Sequence, residues 1–315
     1  MAEVPFAAGP ATVIGVDVGG TKTAFGLVRF PDARVIARRE MPTPQGAASG
    51  ARFLDALCAA VTRLRDDEGV AVNGLGIGVC ELVDLDGAVS SGHRVHWKGL
   101  PVLQRFAAVA PAAIEADVRA AALAESRWGA GQGHRDLLYL NIGTGISTCW
   151  VKDGVPHAGA NGHALAIASS PMGSTCPACG THGAYVLEDV AGGAALARAY
   201  GAAMKRDVPT ASEVLAAAGE GEARAIALLA EAAGLIGISV GLAINILDPE
   251  ALVIGGGLGA RDGPYWQAIE TAIRSQVWSD EARRLPIRRA ALGADSGLIG
   301  AAASWWLRSA SPRGR

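Results

Sequence analysis

The chain has 315 residues, 30 acidic against 28 lysine and arginine, and a formal net charge of -2 at pH 7. Half of it is hydrophobic and 18% is charged, which excludes a disordered chain and, without a sustained basic run, a nucleic-acid partner. The length allows two domains with separate cores. Of the five cysteines, Cys58, Cys80 and Cys149 stand alone, the usage of a reducing cytoplasm rather than of a disulfide framework. The opening residues lack the positive start of a secretory signal and include Glu3. No window reaches the roughly 18–20 uninterrupted apolar residues of a bilayer span, so a cytoplasmic protein with no membrane partner is expected.

In chain order, residues 11–16 form an apolar, β-branched run that reads as a buried strand. It leads into the turn Gly15-Val16-Asp17-Val18-Gly19-Gly20-Thr21-Lys22-Thr23, and residues 23–28 read as a second strand. Within 51–66, Phe53, Leu54, Leu57, Val61 and Leu64 recur at helical spacing. A buried strand over 74–79 precedes a polar stretch through His96. A helix over 101–109 and a strand end at 113–115 then deliver Asp117. The theme repeats with a helix over 118–128 and a hairpin of 137–142 with 146–151 around Asn141-Ile142-Gly143-Thr144-Gly145. Helices over 184–200 and 222–247 follow, then a buried strand over 251–254 that exits into Gly255-Gly256-Gly257. A last helix over 296–307 carries Leu298, Ile299, Trp305, Trp306 and Leu307. Alternating strands and helices predict an α/β class. The recurrence of strand, glycine turn and strand sets a domain boundary near residue 118.

Glycines at a strand exit admit positive φ and let backbone N–H groups approach an anion. A single such turn is as often only a tight turn; three, with Asp17 in the first, point to a nucleoside triphosphate. Magnesium keeps most of its water and needs only one or two carboxylates beside phosphate oxygens, which Asp17 can supply. The spacing around Lys22 is not that of a Walker loop. Asp117 has two readings that can coexist: a helix N-cap worth about 1 kcal/mol, and a general base for a substrate hydroxyl.

The ordered set of motifs resembles the ROK family of sugar kinases and related repressors from residue 14 to about 306. It comprises residues 15–23, Ile114-Glu115-Ala116-Asp117-Val118-Arg119-Ala120-Ala121-Ala122-Leu123-Ala124-Glu125, residues 141–145, Cys176-Pro177-Ala178-Cys179-Gly180, residues 187–193, 241–258 and 297–302. The resemblance implies a two-lobed actin-like ATPase (RNase H-like) fold with the active site in the interdomain cleft. Its domains would be an N-terminal one of residues 1–117, joined by a helix over 297–312, and a C-terminal one of residues 118–296. It implies ATP and magnesium, the latter held by Asp17 through water. Gly19, Gly20, Thr21 and Lys22 would face the phosphates, Gly143, Thr144 and Gly145 would grip them from the opposite lobe, and Gly255, Gly256 and Gly257 would lie against adenosine. Asp117 would be the catalytic base, and a homodimer is the implied assembly.

The departures from the family bear on the acceptor. Ala116 stands where sugar-phosphorylating members place Asn, and residues 159–167 lack the family's sugar-touching Glu, with His163 aligned only through a gap. His93 and His96 lie near Trp97 in place of a sugar-contacting Asn, and Cys80-Glu81 replaces a Pro-Gly pair. Glu188 aligns with the second sugar-binding Glu after a two-residue insertion. Glu81 and Glu188 suit an ammonium group through charge-assisted hydrogen bonds. The expected acceptor is therefore the primary hydroxyl of a specialised amino sugar, such as a 3-amino hexose of an antibiotic pathway, with His93 and His163 also in the substrate site. A C7 cyclitol or glucose is the alternative, and an ordinary polar loop explains Glu81 and the histidines equally. Cys176 and Cys179 form a zinc half-site that His163 and His182 could complete, or are simply core cysteines; Ala184 stands where the family has a third cysteine. A repressor would need a DNA-binding domain ahead of Asp17, which lies too near Met1 for one. A sugar-binding protein without catalysis is the remaining class.

Overall fold

The computed structural model describes residues 9–175, 179–180 and 182–310. They form two compact units, one running through Gln132 with Val155–Ala164 and the chain from Ala294, the other Gly133–Gly154 with Leu165–Gly293. In the first unit the order is β1 (Ala11–Val18), β2 (Lys22–Phe30), β3 (Arg34–Pro42), α1 (Ala51–Glu68), β4 (Gly74–Val79), α2 (Val102–Ala107), β5 (Ala112–Ala116) and α3 (Asp117–Trp128). The second unit holds β6 (Asp136–Ile142), β7 (Ile146–Lys152), β9 (Pro171–Thr175), β10 (His182–Val186), α4 (Leu187–Ala191), α5 (Gly193–Met204), α6 (Ala211–Gly219), α7 (Ala223–Leu247), β11 (Ala251–Gly255), α8 (Pro264–Gln276) and β12 (Ile287–Arg289). The short β8 (Val155–Pro156) falls in the segment returned to the first unit, and α9 (Ser296–Ala310) closes that unit.

The first sheet runs β3-β2-β1-β4-β5. Strands β1, β2 and β3 pair antiparallel, whereas β1, β4 and β5 pair parallel. All six residues of β4 are buried, as expected of a parallel strand covered on both faces. At the edge, β3 alternates exposed and half-buried residues; its charged side chains suit an unpaired edge. That charge-rich alternation carries little apolar signal, which is why no strand was expected there. On α1 the five apolar residues singled out by spacing are the buried ones, and the helix stops at Gly69 in the left-handed conformation (φ 61°). Along α9 a Cβ at Gly300 would overlap the carbonyl oxygen of Ala120 in α3. Glycine alone lets these two helices approach so closely.

The second sheet runs β12-β11-β6-β7-β8. Strands β6 and β7 are antiparallel, and β6, β11 and β12 are parallel, so β12, β11, β6 and β7 repeat the order and directions of β5, β4, β1 and β2. The repetition read from the glycine turns is a repeated topology. The division falls after Gln132 rather than after Asp117, because α3 packs on α9 and beside β4 and β5. The helix expected over 184–200 is corrected: Tyr185 and Val186 pair with Met172 and Pro171 in the β9–β10 ribbon, and Gly192, in extended conformation, separates α4 from α5. Glu222 caps α7, its carboxylate accepting the N–H groups of Arg224 and Ala225 at 3.0 and 2.7 Å. By length and composition α7 could cross a membrane. Over half of its most apolar stretch is buried against α8 and the shorter helices, and Ile238, Leu242 and Ile246 are exposed.

Candidate active site

In the first unit, parallel pairing aligns Asp17 with Gly78 and Val79 with Ala116. The carboxyl ends of β1, β4 and β5 therefore present Asp17, Cys80-Glu81 and Asp117 side by side, at the edge where open α/β sheets collect ligands. Burial pushes the Asp17 carboxyl up to about 6, against the opposing pull of Arg38 and Lys22. Its side chain lies against the first turn of α9, where a Cβ at Gly297 would overlap it. Asp117 opens α3 with Ala116 in the N-cap position, and its Oδ1 accepts the N–H of Val118 at 2.6 Å.

The first glycine turn is braced from the chain after β3. Gly19 N–H donates to the Lys22 carbonyl (3.1 Å) and Thr43 N–H to that of Thr21 (3.0 Å). Gln45 Nε2 donates to the Gly20 carbonyl at 2.7 Å. Lys22, expected to face the phosphates, has its ammonium 2.6 Å from Glu40, which also pairs with Arg38. Arg94 also lies beside this turn, its Cδ 3.8 Å from the place a Cβ would take on Gly20.

Glu81 has a different task from the one its sequence position suggested. It is 7% exposed, and its oxygens accept the Ser91 hydroxyl and the backbone N–H groups of Arg94 and Val95, the last at 2.8 Å. Its carboxylate thus organises the loop that carries His93 and Arg94 instead of reaching out to an ammonium group. The Cys80 thiol beside it is pushed up by burial and further by the charges of Asp117, Glu81 and Asp17, with Arg94 opposing. Those four charges share one neighbourhood.

Arg119 was not singled out by sequence, yet it is buried and ties two loops together. It donates to Glu115, to the Gly162 carbonyl and, at 3.0 Å, to the Val83 carbonyl. Exposed His163 follows, its Nε2 3.0 Å from the Ser90 hydroxyl. The signal for Arg119 was its place two residues after Asp117, a charged side chain just ahead of the small, apolar run Ala120–Ala124. For Arg94 only its neighbourhood to Trp97 pointed anywhere.

In the second unit, β6 and β11 pair in parallel up to Asn141 and Gly255, so the second and third glycine turns adjoin. Leu258 and Gly259 both donate to the Ile142 carbonyl, at 3.0 and 3.1 Å, with Gly256 at φ 83°. The N–H groups of Gly193 and Ala194, which begin α5, donate to the carbonyls of Gly143 and Thr144. Glu188 lies at the same turn, its Oε2 2.6 Å from the position of a Cβ on Gly145. Beside Gly257 nothing lies within 4 Å of where a side chain would begin, which leaves room for a ligand against bare backbone.

Of the expected zinc ligands, Cys176 lies outside the described residues, and Cys179 and His182 are exposed. Among the described residues no three His, Cys, Asp or Glu side chains gather as a metal group.

A match to the ROK family runs over residues 13–308. The chain belongs to the ROK family. It is 31% identical over 301 residues to the kanosamine kinase of Amycolatopsis mediterranei, covering 92% of this chain and 94% of that one. To the glucokinase of Streptomyces coelicolor it is 29% identical over 313 residues, covering 92% and 96%. The ROK family glucokinase from Streptomyces griseus, solved in complex with glucose and AMPPNP, superimposes with a TM-score of 0.80 at 28% identity over 93% of this chain and 98% of that one. The ROK chain accordingly has the actin-like ATPase fold, each of its sheets built in the same strand order.

Proposed function

We infer that this ROK chain is an ATP-dependent sugar kinase that phosphorylates a primary hydroxyl. The observation that carries the reading is the placement of Asp17 with the glycine turn at the end of β1, and of Asp117 at the end of β5, at one edge of one sheet on either side of β4. Asp117 takes the proton of the acceptor hydroxyl as its oxygen attacks the γ-phosphorus. Asp17, a single half-buried carboxylate, fits a magnesium ion that keeps most of its water; magnesium held there neutralises phosphate charge. Backbone N–H groups of Gly20 and Thr21 receive phosphate oxygens, and the turns at 143–145 and 255–257 hold the rest of the nucleotide.

The acceptor proposed is an amino sugar. Glu188, which lies against Gly145 at the second glycine turn, is the carboxylate proposed to meet the ammonium group, and exposed His93 and His163 are the candidate hydroxyl partners. The kanosamine kinase relative supports this choice, and the glucokinase relatives support glucose as the alternative. A cytoplasmic homodimer belongs to the same reading, and sedimentation velocity tests the assembly. Metal analysis after dialysis tests zinc, with a zinc-to-protein ratio near zero refuting it.

The deciding experiment is acceptor-dependent ADP release with magnesium and ATP over glucose, mannose, free and N-acetylated amino sugars and C7 cyclitols. A free amino sugar should turn over fastest, and Asp117→Asn should lose nearly all of that rate while its circular dichroism is unchanged. Glucose outpacing every amino sugar would leave the kinase and remove the amino-sugar assignment.

A further inference from the structure

We propose that Arg94 supplies the positive charge that stabilises the transferring phosphoryl group, and that buried Glu81 is the positioning residue that holds it there. The inference rests on the kinase reading above. Phosphoryl transfer spreads negative charge over three equatorial oxygens, so a cation at those oxygens favours the transition state over the ground state. Lys22 is the cation the turn itself offers, and it is paired with Glu40 at 2.6 Å. Arg94 lies beside the same turn, with its Cδ 3.8 Å from the Cβ position of Gly20. The same guanidinium and the carboxylates of Asp117 and Asp17 all act on the Cys80 thiol.

The loop around Arg94 is fixed from both sides. Glu81 accepts the N–H groups of Arg94 and Val95 and the hydroxyl of Ser91. His96 N–H donates to the Ser49 hydroxyl at 3.1 Å, and Trp97 is fully buried, its ring packed against Phe53 and Phe106. A buried carboxylate that accepts successive backbone N–H groups holds the main chain in one conformation. An arginine on such a loop meets the phosphoryl oxygens with little reorganisation.

In the step itself the acceptor oxygen forms its bond to the γ-phosphorus while the bond from phosphorus to the bridging oxygen breaks. The hydroxyl proton passes to Asp117, and ADP leaves with the electron pair of the broken bond. Arg94 exchanges no atom; it donates N–H groups to the γ-oxygens as their charge spreads.

The test compares Arg94→Ala, Arg94→Lys, Glu81→Gln and the double variant Glu81→Gln/Arg94→Ala with the wild type. Two readouts are used: steady-state kinetics on the best acceptor of the panel, and calorimetric affinity for magnesium-ADP with and without aluminium fluoride, a planar mimic of the transferring group. Arg94→Ala should lower kcat about 100-fold or more with the acceptor KM within about threefold. Affinity for ADP alone should hold, and affinity for ADP with aluminium fluoride should fall at least about tenfold. Arg94→Lys should recover only part of the loss, since an ammonium cannot make the forked contact. Glu81→Gln should lower kcat, and in the Arg94→Ala background it should add less than about twofold, which a merely structural role would not produce. Equal kcat and equal fluoride-complex affinity in Arg94→Ala, or a loss confined to the acceptor KM, would overturn the proposal. A wild type that binds no magnesium-ATP would overturn the kinase reading itself. A wild type that binds nucleotide but finds no acceptor leaves calorimetry to decide, unchanged fluoride-complex affinity in Arg94→Ala counting against Arg94.

Discussion

Asp17 combines a functional position with an electrostatic penalty. Its folded value of about 6 lies above the ordinary 3.8, so as pH rises the unfolded chain ionises first. Stability therefore falls between about pH 3.8 and 6, and the full penalty applies above that range. In metal-free buffer Asp17→Asn should gain about 1–3 kcal/mol of unfolding stability at pH 8, the gain fading below pH 4, while turnover is lost. Urea unfolding at the two pH values measures it; equal stability at pH 8 would show that the charge is fully compensated. Asp17 and Asp117 were legible in sequence because each stands at a strand exit in a local pattern. Glu81 was legible as unusual, but its partners lie at Ser91, Arg94 and Val95, and nothing in the local pattern says that its carboxylate turns back onto that loop.

Among the elements, α9 and α3 show how small residues hold this site together. Gly300 abuts the Ala120 carbonyl, Gly297 abuts Asp17, and α3 begins at Asp117. Gly300→Ala should therefore destabilise the protein by about 1–3 kcal/mol through overpacking and slow turnover. Gly234→Ala in α7, where a Cβ meets nothing within 4 Å, should be neutral or stabilise by about 0.4–1 kcal/mol. Thermal unfolding of the pair separates the two cases; equal effects would remove the close approach as the cause. Periodicity placed α1, α3, α7 and α9 within a few residues. It failed at β10, where five residues next to a helical pattern join a ribbon, and at β3, whose apolar content is low.

At the scale of the molecule, each sheet carries its own core. Leu57 belongs to one, with Ile14, Val16 and Ile77, and Leu140 to the other, with Leu138, Leu252 and Ile254. Leu57→Ala should cost about 2–5 kcal/mol and speed amide exchange in β1, β4 and α1 while β6 and β11 keep their protection; Leu140→Ala should do the reverse. Uniform loss of protection in either variant would contradict separate cores.

What the sequence determined by itself was the recurring strand–glycine turn–strand, the α/β class, the family and the two aspartates. These follow from local propensity and from patterns that lie within a few consecutive residues. Tertiary structure alone decided that Lys22 pairs with Glu40, that Glu81 serves a loop, and that Arg94 comes to lie beside Gly20. Each of these depends on groups that meet only once the chain has folded back on itself, across a strand pair for Lys22 and Glu40 and within one loop, 13 residues apart, for Glu81 and Arg94. A charged side chain in sequence has many possible partners, and only the folded chain selects among them.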